Sequence, residues 1–338
     1  MSDTSVVIPN WNGKKTLGEC LESLKKQSHD HQAFVVDNGS TDGSVDFIES
    51  NHHEVRVIKH EKNLGFAGGV NSGIKMAMAT SSKYIALLNN DAQAEQDWLK
   101  HLVGFMGKNP RTGIAAAKIV SSDKKRLDST GEQYSVWGMP YPRGRGETDL
   151  DKYDHDTEIF GASGGASIYR VKMLEEIGLF DEDFFAYYED VDISFRAQLA
   201  GWKVNFVPKA VVYHEIGATS GKIHGFTTYH TLKNLPLLFW KNVPHGIKFK
   251  IWIRLVVLWL SIAASAILRG QVWPFLKACF VGSILWPKKL VERRRIQQNR
   301  KVSTEYINSI IFHDLPPNAY KLRRLRRVWW KLTFRSGA

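Results

Sequence analysis

The sequence predicts an α/β fold built on a doubly wound, mostly parallel sheet. Three observations predict it: short β-branched runs alternate with helical patterns through about the first 120 residues, polar residues follow several of these runs, and 338 residues with 43% hydrophobic side chains are enough for a large core. Because parallel strands need long crossover connections, the alternation favours parallel pairing with right-handed crossovers.

The first elements follow from the spacing of apolar side chains. Residues 5–9 (SVVIP) predict a buried strand, and Leu17, Leu21 and Leu24 share one face of a helix over 16–27. Further strands are predicted at 33–37, 55–60 and 84–91, with a glycine-rich loop and a helix through 71–79 before the last of them.

The middle of the chain is less regular. Residues 138–147 (GMPYPRGRGE) predict a mobile loop, and the small residues of 159–170 (IFGASGGASIYR) allow close backbone approach. A helix over 191–200 ends at Gly201, and a strand-like segment follows at 203–217.

Polar residues stand directly at the ends of three predicted strands. These are Pro9 and Asn10 at the first strand, Asp37 at the second, and Asn89, Asn90 and Asp91 at the fourth. Because ligands of open α/β sheets bind outside the carboxyl ends of the strands, the pattern predicts a binding site there. For any single position the alternative is an ordinary loop, since loops are polar anyway.

An acidic cluster interrupts the aromatic segment 187–196 (YYEDVDISFR). Glu189, Asp190 and Asp192 lie within four positions, where repulsion and burial both penalise the ionised carboxylates. Such crowding is costly unless a cation, a proton or a chemical task compensates for it. The alternative is a helix start, where acids complement the exposed N–H groups and the positive end of the helix dipole.

The net charge of +12 is unevenly distributed along the chain. Residues 1–235 carry 26 Lys and Arg against 31 Asp and Glu, whereas residues 236–338 carry 20 against 3.

Cys20 and Cys279 are the only cysteines, so neither a disulfide framework nor a cysteine zinc site is expected. The N-terminus enters an apolar run without a basic region, which indicates no secretory signal and a cytoplasmic location.

Seven motifs occur in an order that resembles one known family. They are VVIPNWNG, VVDNGSTDGS, NLGFAGGVNSG, LLNNDA, GASGGASIYR, YYEDVDISFRAQLAGW and VVYHEIGATS. The set is similar to the family 2 inverting glycosyltransferases, closest to their rhamnosyltransferase-like branch, and covers residues 5–220. The resemblance implies a GT-A-type nucleotide-sugar-binding fold and a catalytic domain over residues 1–235.

The resemblance also implies a donor site with a metal. The nucleotide and diphosphate would be bound by Pro9, Asn10, Asn12, Asp37, Asn38, Asn63, Gly65, Asn71, Asn89 and Asn90. Asp91 and His214 would hold a divalent metal, magnesium or manganese, against the diphosphate. Here Asn89 replaces the first acid of the family's Asp-X-Asp motif.

The acidic cluster acquires a catalytic role by the same resemblance. Asp190 would be the base that takes the proton of the acceptor hydroxyl. Glu189 and Asp192 would raise its pKa by repulsion, or else orient the acceptor and cap the helix.

Residues 236–338 predict a basic, amphipathic helical region that associates with a membrane. Lys250 and Arg254 interrupt its first apolar stretch, 249–268, and leave 14 uncharged residues from Leu255, which is short for a membrane span. The second stretch, 272–287, is also short, and whether the two span or lie on the membrane is left open. Two basic segments, 288–301 and 321–331, accompany seven of the 11 tryptophans, a combination typical of anchors at anionic lipid surfaces. A buried helix pair with a solvated basic face and a nucleic-acid site are the alternatives.

Together these features predict a glycosyltransferase that is peripheral to the cytoplasmic face of the inner membrane. The resemblance implies dTDP-rhamnose as the donor, with a UDP-sugar as the alternative, and a polyprenyl-linked or cell-surface glycan is the expected acceptor. The Asn89 substitution leaves a non-catalytic sugar-nucleotide-binding membrane protein open. A nicotinamide-dependent oxidoreductase is disfavoured, because the first strand leads into PNWNG instead of a G-x-G-x-x-G turn.

Overall fold

The alternation of strands and helices is present in the structure, a computed structural model that describes residues 2–155, 157–215, 223–317, 319 and 322–323. The strands are β1 Thr4–Asn10, β2 Gln32–Asp37, β3 Arg56–Lys59, β4 Tyr84–Leu88, β5 Ala92–Ala94, β6 Thr112–Ser121, β7 Leu127–Ser129, β8 Glu132–Tyr134, β9 Pro140–Pro142, β10 Ala166–Arg170 and β11 Lys203–His214. The helices are α1 Lys14–Lys25, α2 Ser44–Asn51, α3 Gly65–Met78, α4 Trp98–Lys108, α5 Val171–Ile177, α6 Glu189–Leu199, α7 Phe226–Asn242, α8 His245–Leu268, α9 Val272–Gln298 and α10 Thr304–Ile310. The end of the VVYHEIGATS motif and most of the basic segment 321–331 lie outside the described residues.

One large sheet organises the first part of the chain. Its strand order is β3-β2-β1-β4-β10-β6-β11-β5, and β7 pairs with β6. Strands β3, β2, β1 and β4 are mutually parallel, as are β6 and β11, whereas β10 and β5 run antiparallel to their neighbours. The predicted α/β class is confirmed, and the sheet is mixed, with its parallel character concentrated where a helix connects each strand to the next.

Hydrophobic cores cover both faces of this sheet. Side chains alternate along a strand, so Val6 and Ile8 pack into one core while Val7 packs into the other. All three are fully buried. The continuous apolar run that predicted a buried strand therefore reflects helices on both sides of the sheet.

The glycine-rich segment after β3 is part of a helix and not the loop that the sequence predicted. Helix α3 begins at Gly65 and contains Gly68, Gly69 and Gly73. A methyl group on Gly73 would lie 2.3 Å from Val7 Cγ1, and one on Gly69 would lie 2.5 Å from Asn38 Nδ2. Glycine is needed here because the helix packs directly against the sheet and the end of β2.

The predicted mobile loop 138–147 contains defined structure. Strand β9 pairs with β8 in a separate two-stranded ribbon, and Gly138 and Gly144 adopt left-handed backbone angles in the flanking turns. Positive φ angles favour glycine, which accounts for the composition that suggested a loop.

The contacts divide the chain into two compact units. Unit 1 comprises residues 1–132, 142–224 and 299–302 and contains the large sheet. Unit 2 comprises residues 133–141, 225–298 and 303–338 and is mainly helical where described. The assignment of catalysis to residues 1–235 and of membrane association to residues 236–338 stays a prediction.

Unit 2 contains the most apolar helix. Within the described residues only α8 is long and apolar enough to cross a membrane on length and composition, and the mean hydropathy of its most apolar 18-residue window is 2.2. One third of that window is buried inside the protein.

Candidate active site

A network of amides and one carboxylate lies at the carboxyl ends of the parallel strands. Asn10 and Asp37 are paired in register on β1 and β2. Asn10 Nδ2 donates to Asp37 Oδ1 at 3.0 Å, and Asn90 Nδ2 donates to Asn10 Oδ1 at 2.7 Å. The Ser40 backbone N–H donates to Asp37 Oδ2 at 2.9 Å. These buried bonds fix the Asp37 carboxylate at the edge where open α/β sheets bind ligands.

The turn after β1 supports this network. Pro9 is paired with Val36 near the end of the strand, and Asn12 adopts a left-handed angle with φ of 51°. Asn12 Oδ1 accepts a hydrogen bond from the Thr41 backbone N–H at 2.8 Å. A methyl group on Gly13 would lie 1.9 Å from Nδ2 of Asn90, so the backbone of the turn lies directly against the amide network.

Other predicted donor residues hold the start of α3. Asn38 Nδ2 donates to the Gly65 carbonyl at 3.0 Å, and Asn63 Oδ1 accepts from the Gly65 N–H at 2.8 Å. Asn71 does not contact the start of α3 in this way: its amide is hydrogen-bonded to the backbone N–H and carbonyl of Phe180 and to the carboxylate of Glu182. We therefore infer that Asn71 fixes the segment around residue 180.

Four side chains of alternating charge, which begin at the predicted metal ligand Asp91, lie in a row at the carboxyl end of β11. His214 ends β11 opposite Ala92, which brings its Nε2 within 3.2 Å of Asp91 Oδ1. His214 Nδ1 lies 2.8 Å from Asp128 Oδ2. Asp128 Oδ1 is in turn 2.8 Å from a guanidinium nitrogen of Arg145. The structure thus brings Asp91 and His214 together as the sequence predicted, and adds Asp128 and Arg145.

Burial and the neighbouring charges have opposite effects on the pKa values of His214 and Asp128. Burial alone lowers the pKa of His214, but its contacts with Asp128 and Asp91 outweigh burial and raise it to about 9. Burial raises the pKa of Asp128, but the hydrogen bond from His214 and the charge of Arg145 outweigh burial and lower it below the usual value. The group is therefore stabilised as alternating positive and negative charges.

The donor set of Asp91 and His214 suits a divalent cation. Among the residues that the structure describes, Asp91 Oδ1 is buried without a hydrogen-bond partner. In the protonated form of His214 the Nε2–H faces this oxygen, whereas in the neutral form with Nδ1–H donating to Asp128, Nε2 presents a lone pair to it. A divalent cation could then take the place of that proton between the two acceptors, since carboxylate and imidazole are both ligands of divalent metals.

Asp190 lies in the first turn of α6, which begins at Glu189. Its Oδ1 accepts from the Val191 N–H at 2.8 Å, and its Oδ2 accepts from the Gly164 N–H at 3.1 Å. The preceding residues Tyr187 and Tyr188 adopt left-handed angles with φ of 66° and 72°. Such angles in non-glycine residues cost about 1–3 kcal/mol each and cluster at functional sites.

Burial, and not repulsion from its neighbours in sequence, is the main cause that raises the pKa of Asp190. The interaction with a second carboxyl is with Glu132 of β8, whose pKa is raised well above its usual value by burial and by the charge of Asp190. Glu132 is held by backbone hydrogen bonds of 2.7 and 3.0 Å to Gly161. A buried carboxyl and a partly buried one that interact this way favour one shared negative charge.

Asp192 and Glu189 have different surroundings from Asp190. Asp192 is fully buried, and its Oδ2 lies 2.8 Å from Arg196 Nε. Arg196 also donates to the carbonyls of residues 177–179. We infer that Asp192 anchors this segment through Arg196, while Glu189 is buried at the helix start.

The remaining predicted residue, Asn89, borders the Gly-rich segment of residues 161–165. Its backbone N–H donates to the Gly165 carbonyl at 2.9 Å, and a methyl group on Gly165 would lie 3.2 Å from Asn89 Nδ2. The small residues of this segment, which predicted close approach, thus allow the end of β4 and the start of α6 to lie against the irregular segment that precedes β10.

Sequence reasoning missed four residues of the site. They are Gly13, Asp128, Glu132 and Arg145. Asp128 and Glu132 belong to three-residue strands that carry too little pattern to predict, and Arg145 lies in a segment that predicted only a loop. The isolated acids in RLDSTGEQY were the available signal, but only the tertiary fold shows that they face Asp190 and His214.

Comparison with known proteins identifies the family. The family model described as glycosyl transferase family 2 matches residues 5–178. An N-acetylglucosaminyl-diphospho-decaprenol L-rhamnosyltransferase of Mycobacterium tuberculosis is 28% identical over 208 residues, which cover 56% of this chain and 68% of the relative. A pre-mycofactocin glycosyltransferase of the same organism is 28% identical over 215 residues, covering 63% of this chain and 43% of the relative.

Solved structures show the same fold at low identity. TarS of S. aureus, residues 1–349 in complex with UDP-GlcNAc, aligns with a TM-score of 0.56 and 16% identity over 94% of both chains. A mannosyltransferase of Pyrobaculum calidifontis in complex with GDP-Man and Mn2+ aligns with a TM-score of 0.54 and 14% identity over 88% of this chain and 85% of that one. The GT-A-type fold predicted from the motifs is confirmed. With its parallel strands ending in a polar site, this chain is a glycosyltransferase of family 2.

Proposed function

We propose that the chain is an inverting, metal-dependent rhamnosyltransferase that moves rhamnose from dTDP-rhamnose to a lipid-linked or cell-surface glycan. The motif set and the rhamnosyltransferase relative from Mycobacterium tuberculosis support the sugar and the class of acceptor. The observation that carries the proposal is the presence in one unit of an Asn10–Asp37 pair suited to a nucleoside, an Asp91–His214 pair suited to a cation, and a partly buried base candidate, Asp190.

Donor recognition would begin at the ends of β1 and β2. Asp37 can accept hydrogen bonds from the base or the ribose, and its orientation is fixed by Asn10 and the Ser40 N–H. Because Asn90 connects this network to the neighbouring Asp91, nucleoside and diphosphate would bind along one edge of the sheet.

Transfer would need one base. As the acceptor hydroxyl oxygen forms its bond to the anomeric carbon, the bond from that carbon to the diphosphate oxygen breaks and the nucleoside diphosphate leaves with the electron pair. The hydroxyl proton goes to Asp190, whose pKa is raised by burial toward the range in which a carboxylate accepts protons efficiently. The two backbone N–H donors would hold the Asp190 carboxylate in place during this step.

Asp91 and His214 would hold the divalent metal, magnesium or manganese. When bound, such a cation neutralises the charge that develops on the leaving diphosphate. Asp128 would keep the His214 ring in the tautomer and orientation that present Nε2 toward Asp91, as carboxylates behind metal-binding histidines generally do.

A UDP-sugar is the second candidate donor. The favouring observation is that TarS, which aligns over 94% of this chain, was solved with UDP-GlcNAc. The amide and carboxylate of Asn10 and Asp37 offer hydrogen bonds that either pyrimidine nucleotide could use.

The enzyme would act at the cytoplasmic face of the plasma membrane as a peripheral protein. The charge of residues 236–338, 20 basic against 3 acidic residues, and their tryptophans support association with anionic lipid. A lipid-linked acceptor would be reached most directly by an enzyme held at that surface.

Turnover with a panel of donors tests the proposal. Full-length protein would be incubated with dTDP-rhamnose, UDP-GlcNAc, UDP-glucose or GDP-mannose, a set of polyprenyl-linked acceptors and Mg²⁺ or Mn²⁺, and the products identified by mass spectrometry. Transfer from dTDP-rhamnose supports the proposal. Transfer from a UDP-sugar alone replaces the donor, and donor binding without any transfer overturns the catalytic assignment.

A further inference from the structure

Large exposed hydrophobic side chains are concentrated in one part of the described chain. All but two of them, Met76 and Ile223, lie between residues 249 and 291, on α8 and α9 of unit 2. Scattered exposed hydrophobic residues are ordinary, but a contiguous apolar surface indicates an interaction site.

Helix α8 has two apolar faces that differ in what covers them. Its buried face carries Ile247, Ile251, Leu255, Leu258 and Ala266. Its exposed face carries Phe249, Ile253, Val257, Leu260 and Leu268, with exposed fractions of 46 to 84%. Successive members of both sets are three or four residues apart, except for a last step of eight, and the exposed Ala264 lies midway in that step of the exposed set. The exposed set is therefore a continuous stripe along one side of the helix.

The buried face of α8 packs against irregular protein backbone. A methyl group on Gly138, in the turn between β8 and β9, would lie 3.1 Å from Leu255 and 3.4 Å from Ile251. Leu258 clusters with Leu315 and Ala319 of the irregular segment that follows α10. If α8 crossed a bilayer, these turns would enter the hydrocarbon, where irregular backbone exposed to lipid is not tolerated. A spanning orientation is therefore disfavoured.

Basic and aromatic residues accompany the exposed stripe. Lys250 lies beside Phe249 at the start of α8, and Lys277 lies beside Leu276 on α9. Trp273, which is 73% exposed, stands at the start of α9, one short turn after Leu268. Cations beside an apolar stripe complement the negative charge of anionic lipid, and tryptophan prefers the depth of the headgroups.

We propose that α8 lies in the plane of an anionic membrane surface and inserts its exposed stripe into the headgroup and acyl boundary. The lipid face consists of Phe249, Ile253, Val257, Leu260 and Leu268 of α8 with Trp273 and Leu276 of α9. This inference gives an orientation to the peripheral location proposed above. Its tests require no turnover, so they can fail or succeed independently of the proposed reaction.

Vesicle binding tests the lipid face. Full-length protein would be floated with vesicles of phosphatidylcholine alone or of equal parts phosphatidylcholine and phosphatidylglycerol. We expect binding to the anionic vesicles, and Phe249→Glu and Leu268→Glu should each weaken it by about tenfold or more, because each removes a large apolar group from the bilayer. Met76→Glu is the matched control: it places the same charge at an exposed apolar site of unit 1 and should bind like the wild type.

Depth measurements distinguish an in-plane helix from a spanning one. Spin labels on cysteines at Phe249, Val257 and Leu268 would be introduced in a Cys279→Ser protein, since Cys20 is buried. An in-plane helix places all three labels at one shallow depth of about 5–10 Å. A central label deeper than the terminal two would show a span and overturn the proposal.

Two further outcomes would also overturn the proposal. In one, the glutamate variants float as well as the wild type. In the other, the protein is a dimer in solution that Phe249→Glu converts to a monomer, and the wild type does not bind anionic vesicles. The stripe would then be covered by a second copy of the chain.

Discussion

Substitution of Asp190 and Asp192 by asparagine should separate catalysis from stability within a single turn of α6. Asp190 is partly buried and bonded only to backbone N–H groups among the contacts the structure describes, whereas Asp192 is fully buried beside Arg196. We expect Asp190→Asn to lose turnover with a small change in melting temperature, and Asp192→Asn to lose stability with a small change in turnover.

The magnitudes follow from these contacts. Loss of a general base costs about 10²–10⁴-fold in rate. The asparagine at position 190 has one acceptor oxygen for the N–H groups of Gly164 and Val191, so one of them loses its partner at about 1–3 kcal/mol. Removal of a buried ionised carboxylate offsets part of this loss, and the melting temperature should change by only a few degrees.

The control substitution, Asp192→Asn, is expected to lower stability and to leave turnover nearly unchanged. Asp192→Asn leaves the buried guanidinium of Arg196 without its counter-charge, which costs about 3 kcal/mol, the lower end of the range for a broken buried pair, because Arg196 keeps its carbonyl partners. For a protein unit of about 200 residues this lowers the melting temperature by roughly 6–12 °C.

The assay combines kcat, donor affinity and melting temperature for the wild type and both variants. Because burial raises the pKa of Asp190, kcat of the wild type should fall as the pH is lowered through that raised pKa and stay level above it. Donor affinity should be unchanged in Asp190→Asn. Wild-type turnover in Asp190→Asn would refute the base assignment, as would equal losses of turnover in the two variants at unchanged melting temperature.

The remaining predictions concern the donor and metal sides of the site. Gly13→Ala should weaken donor binding, measured by titration calorimetry, by about tenfold or more. The added methyl group would lie 1.9 Å from Asn90 Nδ2 and break the buried hydrogen bond from Asn90 to Asn10. Gly104→Ala is the control, because a methyl group there meets no atom within 4 Å. Asp128→Asn should weaken Mn²⁺ binding, measured by titration calorimetry, by about 10–100-fold, because the hydrogen bond that orients the His214 ring is weakened. An unchanged Mn²⁺ affinity would show that Asp128 has no role in metal binding. Chelation should abolish turnover of the wild type and added Mn²⁺ should restore it, whereas turnover that survives the chelator would exclude the metal.

The sequence predicted the position of the site best where an apolar strand pattern could be combined with the rule that ligands bind at the carboxyl ends of parallel strands. The apolar runs ending in Asn10, Asp37 and Asp91 each predict a strand, and parallel order places the ends of such strands at one edge. The strand-end inferences needed only the period of the side chains and the direction of the strands. The pairing of His214 with Asp91 was instead implied by the family resemblance, and in the structure it follows from the register of β11 on β5, where His214 lies opposite Ala92, the residue after Asp91.

Other features required the tertiary fold. Glycines in GFAGG signal a loop by composition, but Gly69 is selected by the packing of α3 against Asn38 at the end of β2, a contact between residues 31 positions apart in the sequence. The surroundings of Asp192 required the fold for a related reason: its i,i+4 neighbour Arg196 can be found in the sequence, but the carbonyls of residues 177–179 that Arg196 also contacts cannot. The predicted role of Asp192 beside Asp190 stays a prediction. Adjacent acids in a sequence can point to opposite sides of a helix and perform unrelated tasks.

The discontinuous make-up of unit 1 has a consequence for biosynthesis. Residues 299–302 return to this unit, where the Lys301 N–H donates to the Leu199 carbonyl at 2.9 Å and its ammonium group lies 2.6 Å from Glu176. A ribosome must therefore add about 75 residues after His224, taking roughly 4–15 s, before unit 1 can be completed. During that interval the apolar helices α8 and α9 leave the exit tunnel, so the chain can meet a lipid surface before its active site has finished folding.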